Sequence, residues 1–140
     1  RSAIAAAGRA DLGRARLFGV LLADRSPDWG LVAAMSEARF LGVMLDTADK
    51  SSRPLPDLMG SAALAGFLAE ARRHGLMAGL AGSLRAAHIP ALSALGPDIL
   101  GFRGALCPGG DRTAALDRDR VGAVREALAA ATCRLENTTA

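Results

Sequence analysis

A 140-residue chain with 51% hydrophobic and 22% charged residues has the composition of one globular domain with a real core, which excludes a disordered segment. A formal charge of +3 and a pI near 9.6 suit an anionic ligand, but the basic residues are scattered and the aromatics are four Phe and one Trp with no Tyr, which argues against nucleic acid. No apolar run reaches the length of a membrane span and the Ala-rich start lacks the order of a signal peptide, so no membrane partner is expected, and two cysteines far apart without disulfide or metal spacing fit a reducing cytoplasm.

In chain order, residues 2–10 read as the tail of a helix closed by a DLG turn. RLFGVLLAD (16–24) is a nearly continuous apolar run ending on a polar residue, the pattern of a strand buried on both faces. Ser26 and Pro27 stand as N-cap and first-turn proline of a helix whose stripe is Leu31, Val32 and Met35, running to about Ala38. FLGVMLD (40–46) is a second buried strand, followed by a loop with Lys50, Pro54 and Pro56. A longer helix is predicted from about Asp57 to His74, with Arg72 and Arg73 in its last turn and Gly75 as C-cap glycine. LMAGLAG (76–82) is a third strand, Ser83 a cap for a helix through Leu95 that Gly96 ends, and DILGFRG (98–104) a fourth strand with a glycine-rich exit. The last helix covers about Asp117 to Thr132, and the ENTTA tail is expected to fray.

Four βα units without hairpin turns predict an α/β fold with a parallel sheet covered by helices. Two architectures remain open on this pattern: a small doubly wound domain, or half of a (β/α)₈ barrel, which needs eight strands and roughly 250 residues. The first residue is Arg1 rather than Met, and a piece of a longer chain is expected.

In either architecture functional groups gather where strands exit into loops. That places Asp24 and Arg25 after the first strand, Asp46 and Lys50 after the second, Gly82 and Ser83 after the third, and Arg103 with Gly104 after the fourth. Lys50 is the only lysine among 17 basic residues. An arginine is charged at any accessible pH, whereas a desolvated lysine can lose its proton and act as base or nucleophile, and a carboxylate four residues away can orient it. The competing reading is a surface ion pair worth under about 1 kcal/mol. AGS (81–83), GFRG (101–104) and PGG (108–110) would present backbone N–H groups and an arginine to an anion such as phosphate, or serve turns only. Cys107 and Cys133 lack metal-ligand or disulfide spacing, and Cys107 reads as a packed thiol more readily than as a nucleophile; His74 and His88 read as helix-end residues. No metal or cofactor is expected.

MLDTADK (44–50), HGL (74–76), GLAGSL (79–84), IPAL (89–92), PDILGFRGALC (97–107) and GGDR (109–112) resemble, in order and spacing, the C-terminal half of the (5-formylfuran-3-yl)methyl phosphate synthase family of methanofuran biosynthesis. The resemblance covers about residues 16–130. It implies a TIM-barrel lyase, working through lysine Schiff-base chemistry, that condenses two triose phosphates (glyceraldehyde 3-phosphate), loses phosphate and water, and closes a furan ring. It implies that Lys50 and Asp46 are the catalytic lysine and aspartate at the exit of barrel strand 6, with Lys50 transferring protons and Asp46 its acid/base partner. Gly82, Ser83, Arg103, Gly104, Gly109 and Gly110 fall where such a barrel holds phosphates, partly by position alone.

The family's N-terminal half carries a further essential lysine in a motif resembling DVKNP, and nothing like it occurs here. Residues 1–140 are therefore expected to form one partial barrel domain holding strands 5–8, inactive by itself, the complete enzyme being a homo-oligomer. Alternatives are another Schiff-base aldolase on a related barrel, or a non-catalytic phosphate-binding module that pairs two half-barrels.

Overall fold

The computed structural model describes residues 1–49 and 53–138, with side chains as far as residue 133; Lys50 lies outside the described residues. The elements are α1 (Ser2–Gly8), β1 (Phe18–Leu22), α2 (Gly30–Glu37), β2 (Gly42–Asp46), α3 (Leu55–Leu58), α4 (Ser61–Arg73), β3 (Met77–Leu80), α5 (Ile89–Ser93), β4 (Ile99–Leu100) and α6 (Arg118–Thr138).

The four strands form one parallel sheet in the order β1-β2-β3-β4. A doubly wound sheet reverses its strand order part-way and carries helices on both faces. Here the order never reverses, and one face receives the helices, so the sheet is wound in one direction as an arc of a barrel is. The register Val20↔Met44 and Met44↔Gly79 sets Phe18, Val20, Leu22, Met44, Asp46 and Met77 on one face, and Leu21, Val43, Leu45, Ala78 and Leu80 on the other. The second set joins Val32 and Met35 of α2, Leu64, Phe67 and Leu68 of α4 and Leu92 of α5 in one core. Phe67 meets Trp29 edge-on, centroids 5.5 Å apart. A smaller cluster of Ile89, Val124 and Ala131 fastens α6 to α5.

The helix ends show which local signals held. Gly75 adopts φ +70°, its N–H donates to Arg72 O at 2.9 Å and that of Leu76 to Ala71 O at 3.0 Å, so the glycine stop of α4 forms as expected. Ser26, expected as a cap, instead sits in the left-handed region at φ 48° behind a 3₁₀ turn (Ala23–Arg25); Asp28 Oδ1 accepts from the N–H of Gly30 at 2.8 Å and α2 starts there. The helix expected over 57–74 divides because Met59 and Gly60 are extended, leaving α3 separate from α4. Ser83 does not cap a long helix either: it too is left-handed, at φ 50°, and a 3₁₀ turn (Ala86–His88) precedes the five-residue α5. At the other end of the chain the backbone stays helical to Thr138, through residues expected to fray.

β4 keeps only Ile99–Leu100 of the run predicted over 98–104, and the start of its ladder is unusual. Asp98 donates its N–H to Ala78 O at 2.8 Å while its Oδ2 accepts from Ala78 N–H at 2.7 Å, so a side chain replaces the strand's own carbonyl at the start of the ladder.

Candidate active site at the strand exits

The exits of β2, β3 and β4 open into one cavity of about 670 Å³. Its wall contains Asp46, Gly82, Ser83, Arg103, Gly104 and Gly110, residues spread over 65 positions of sequence that the parallel register brings to one edge. Gly109 is not on that wall; at φ 60° it turns the loop after β4. Among the described residues no group of three or more His, Cys, Asp or Glu is arranged to hold a metal ion.

Asp46 is the last residue of β2 and accepts the N–H of Thr47 at 2.7 Å on Oδ1, an arrangement that orients the carboxylate at the cavity. Gly82 closes the β3 side. Its φ of +111° is a conformation L side chains rarely adopt, and a Cβ there would stand 2.8 Å from Thr47 Cγ2. The close approach of the β2 and β3 exits therefore requires glycine at this position. Thr47 itself is fully buried, and its Oγ1 finds no hydrogen-bond partner among the described residues.

Asp24, at the exit of β1, reaches across to the β2 exit loop. Its Oδ1 accepts the N–H of Ala48 and its Oδ2 that of Asp49, each at 2.8 Å. Those two backbone donors, Ala48 first, hold its carboxyl below the usual aspartate range. The loop that leads to position 50 is thus tethered to the neighbouring strand by one carboxylate.

After β4 the chain stitches itself together. The Arg103 guanidinium donates to Cys107 Sγ and to Ala114 O, both at 3.2 Å, and Asp117 N–H donates to Leu106 O at 2.8 Å. Cys107 is fully buried beneath that guanidinium, so its packed reading stands. Arg103 does lie on the cavity wall, but its polar head is engaged by its own loop. Asp111 Oδ1 accepts from Thr113 Oγ1 at 2.7 Å and Thr113 N–H at 2.9 Å, the hydroxyl being the first cause of a lowered carboxyl pKa.

The model of the 4-HFC-P synthase family matches residues 2–125, nearly the whole chain. The chain belongs to that family. A Methylorubrum extorquens protein provisionally named as (5-formylfuran-3-yl)methyl phosphate synthase is 48% identical over 115 residues, which cover 82% of this chain and 49% of the relative. Proteins of that name from Methanocaldococcus jannaschii and Methanothermobacter thermautotrophicus are 46% and 45% identical, over 59% and 61% of this chain and 36% of each relative. The chain thus spans about half the length, or less, of the curated relatives it matches. A solved 3-hexulose-6-phosphate synthase aligns with 81% of this chain and 61% of its own at 23% identity and a TM-score of 0.34, too loose an overlap to carry an argument.

Strand-exit reasoning named Asp46, Gly82, Ser83, Arg103 and Gly104, which line this cavity, and the glycine-loop reading named Gly110, which lines it too. It named Asp24 but gave it no role, because its partners lie 24 and 25 residues further on. It passed over Arg85, Arg112 and Arg120, which also line the cavity. The spacing of Arg120 to Val124 on one helix face was the available signal.

Proposed function

We propose that this chain carries the strand 5–8 half of a (5-formylfuran-3-yl)methyl phosphate synthase. That enzyme condenses two molecules of glyceraldehyde 3-phosphate to the furan phosphate with loss of phosphate and water. The single observation that carries the reading is Asp46 at the exit of β2, on the wall of a cavity bordered by arginines and glycines, in a chain whose family model matches residues 2–125. Asp46 acts as acid/base group on the condensing trioses, and Lys50, four residues later, transfers protons beside it. Cationic groups on part of that wall hold the phosphates, which keeps both reactants at one carboxylate.

The Schiff-base lysine belongs to the half of the family protein whose motif is absent here, so the chain by itself is inactive. The complete enzyme is cytoplasmic and a homo-oligomer, and needs no cofactor.

The test is incubation with glyceraldehyde 3-phosphate of the chain alone and of the chain extended by the upstream part of its reading frame. Furan aldehyde absorbance and released phosphate are both followed. The extended protein should form furan and the shorter chain none, and Asp46→Asn or Lys50→Ala should lower the rate by about 10²-fold or more. An extended protein that makes no furan refutes the synthase reading and leaves a phosphate-binding module.

A further inference from the structure

Four arginines, Arg85, Arg103, Arg112 and Arg120, border the cavity that holds Asp46, and they are not equivalent. Arg103 is committed to Cys107 Sγ and Ala114 O. Arg85 is exposed on the rim after β3. The other two are placed by structure and form no ion pair among the described residues.

Arg112 follows the Gly109–Gly110 turn and is only partly exposed. Its stem passes beside Gly104, where a Cβ would lie in ordinary contact, 3.6 Å from Arg112 Cγ. The adjacent carboxylate does not neutralise it, because Asp111 turns to Thr113. Arg120 occupies the first turn of α6, and Ala123 and Val124, three and four residues on, line the same cavity. Side chains at that spacing share a helix face, so Arg120 projects over the cavity.

Just before α6, Asp117 Oδ1 accepts the N–H groups of Asp119 and Arg120, each at 3.0 Å, and Asp119, adjacent to Arg120 in the first turn, does not face it at that spacing. Those two donors are therefore closed to a ligand. Among the described residues no hydrogen bond or ion pair takes the guanidinium of Arg112 or Arg120. Two planar cations without partners, facing one cavity from a loop and from a helix, fit the tetrahedral oxygens of a phosphomonoester, which guanidinium groups bind in paired hydrogen bonds.

We propose that Arg112 and Arg120 are the phosphate-binding pair of this cavity, gripping one phosphomonoester group between the loop after β4 and the first turn of α6. The identity of that group as a triose phosphate rests on the proposed synthase function; the binding itself does not.

The experiment is calorimetric titration of the whole chain with glycerol 3-phosphate, an unreactive phosphomonoester, for the parent and for Arg112→Gln, Arg120→Gln, Arg85→Gln and Arg118→Gln. Arg118 is an exposed neighbour on α6 that does not border the cavity, so its variant reports the effect of removing one charge. Arg112→Gln and Arg120→Gln should each weaken binding about tenfold or more, and the other two about twofold or less. All four variants should melt with the parent, since none of these side chains is buried. Absence of saturable binding by the parent overturns the proposal, and so does an equal loss in Arg85→Gln or Arg118→Gln. In the extended protein, furan formation with a KM insensitive to both key substitutions removes the pair and keeps the synthase reading. Selective loss of binding without furan formation does the reverse.

Discussion

The two faces of the sheet are built from the same apolar alphabet and meet different surroundings. On the helix side Val43, Leu45, Ala78 and Leu80 are fully buried under α2, α4 and α5. On the other, Val20 is 52% exposed and Leu22 and Met77 37% each, although they alternate with core residues in the same strands. Partial cover on the open face comes from within: a Cβ at Gly42 would overlap the Phe18 ring, and one at Gly79 would lie 2.7 Å from Met44 Cε. The difference teaches that a continuous apolar strand reports a sheet written for two covered faces, while stability here is concentrated on one of them.

The sharpest way to break that comparison is at Phe67, fully buried against Trp29 on the covered side. Phe67→Ala should cost about 3–5 kcal/mol in urea unfolding, and a loss below about 1 kcal/mol would mean that the helix layer does not carry the stability. Thr47 is the one polar residue fully buried among the described residues, and its hydroxyl is unpartnered. Thr47→Val should therefore raise stability by about 1 kcal/mol, whereas a drop would reveal a partner for the hydroxyl in solution.

Asp24 tests the tether between the β1 and β2 exits. Its carboxyl is held below the ordinary value of about 3.9 by the N–H groups of Ala48 and then Asp49. The tether's contribution is fully present above the unfolded-state pKa and is lost as pH falls through the lower folded-state value. The melting-temperature gap between parent and Asp24→Asn should accordingly be full at neutral pH and close in strong acid; a gap that persists there places the effect elsewhere than in the carboxylate. The smallest effect is expected on the open face: Val20→Ser should change stability by about 0.5 kcal/mol or less. A cost near that of a core truncation would show that this face is covered in solution.

Much of this fold could be read from residue patterns because strand centres and helix stripes are local signals. The runs around Val20, Val43, Ala78 and Ile99 all became strands, and Gly75 ended its helix by the expected hydrogen bonds. Ends that depend on distant partners were not readable. Ser26 and Ser83 carry the chemistry of caps but lie at left-handed turns, and the ladder of β4 starts on a side chain, that of Asp98. The site divides in the same way. Asp46 was locatable because a polar residue closing an apolar strand marks the exit edge, while the different employment of Arg103, Arg112 and Arg120 was not.

By itself, then, the sequence determined four strand–helix units, their parallel class, the family and the carboxylate at the β2 exit, since these follow from periodicity, strand ends and matched motifs. Only the tertiary structure decided that the strands run in unreversed order with helices on one face, that Asp24 ties down the loop after β2, and that Cys107 and Ala114 engage one arginine while two others stay open to the cavity. Each of those depends on which groups meet across turns and strands, and hydrogen bonds of that range leave no periodic trace in the chain.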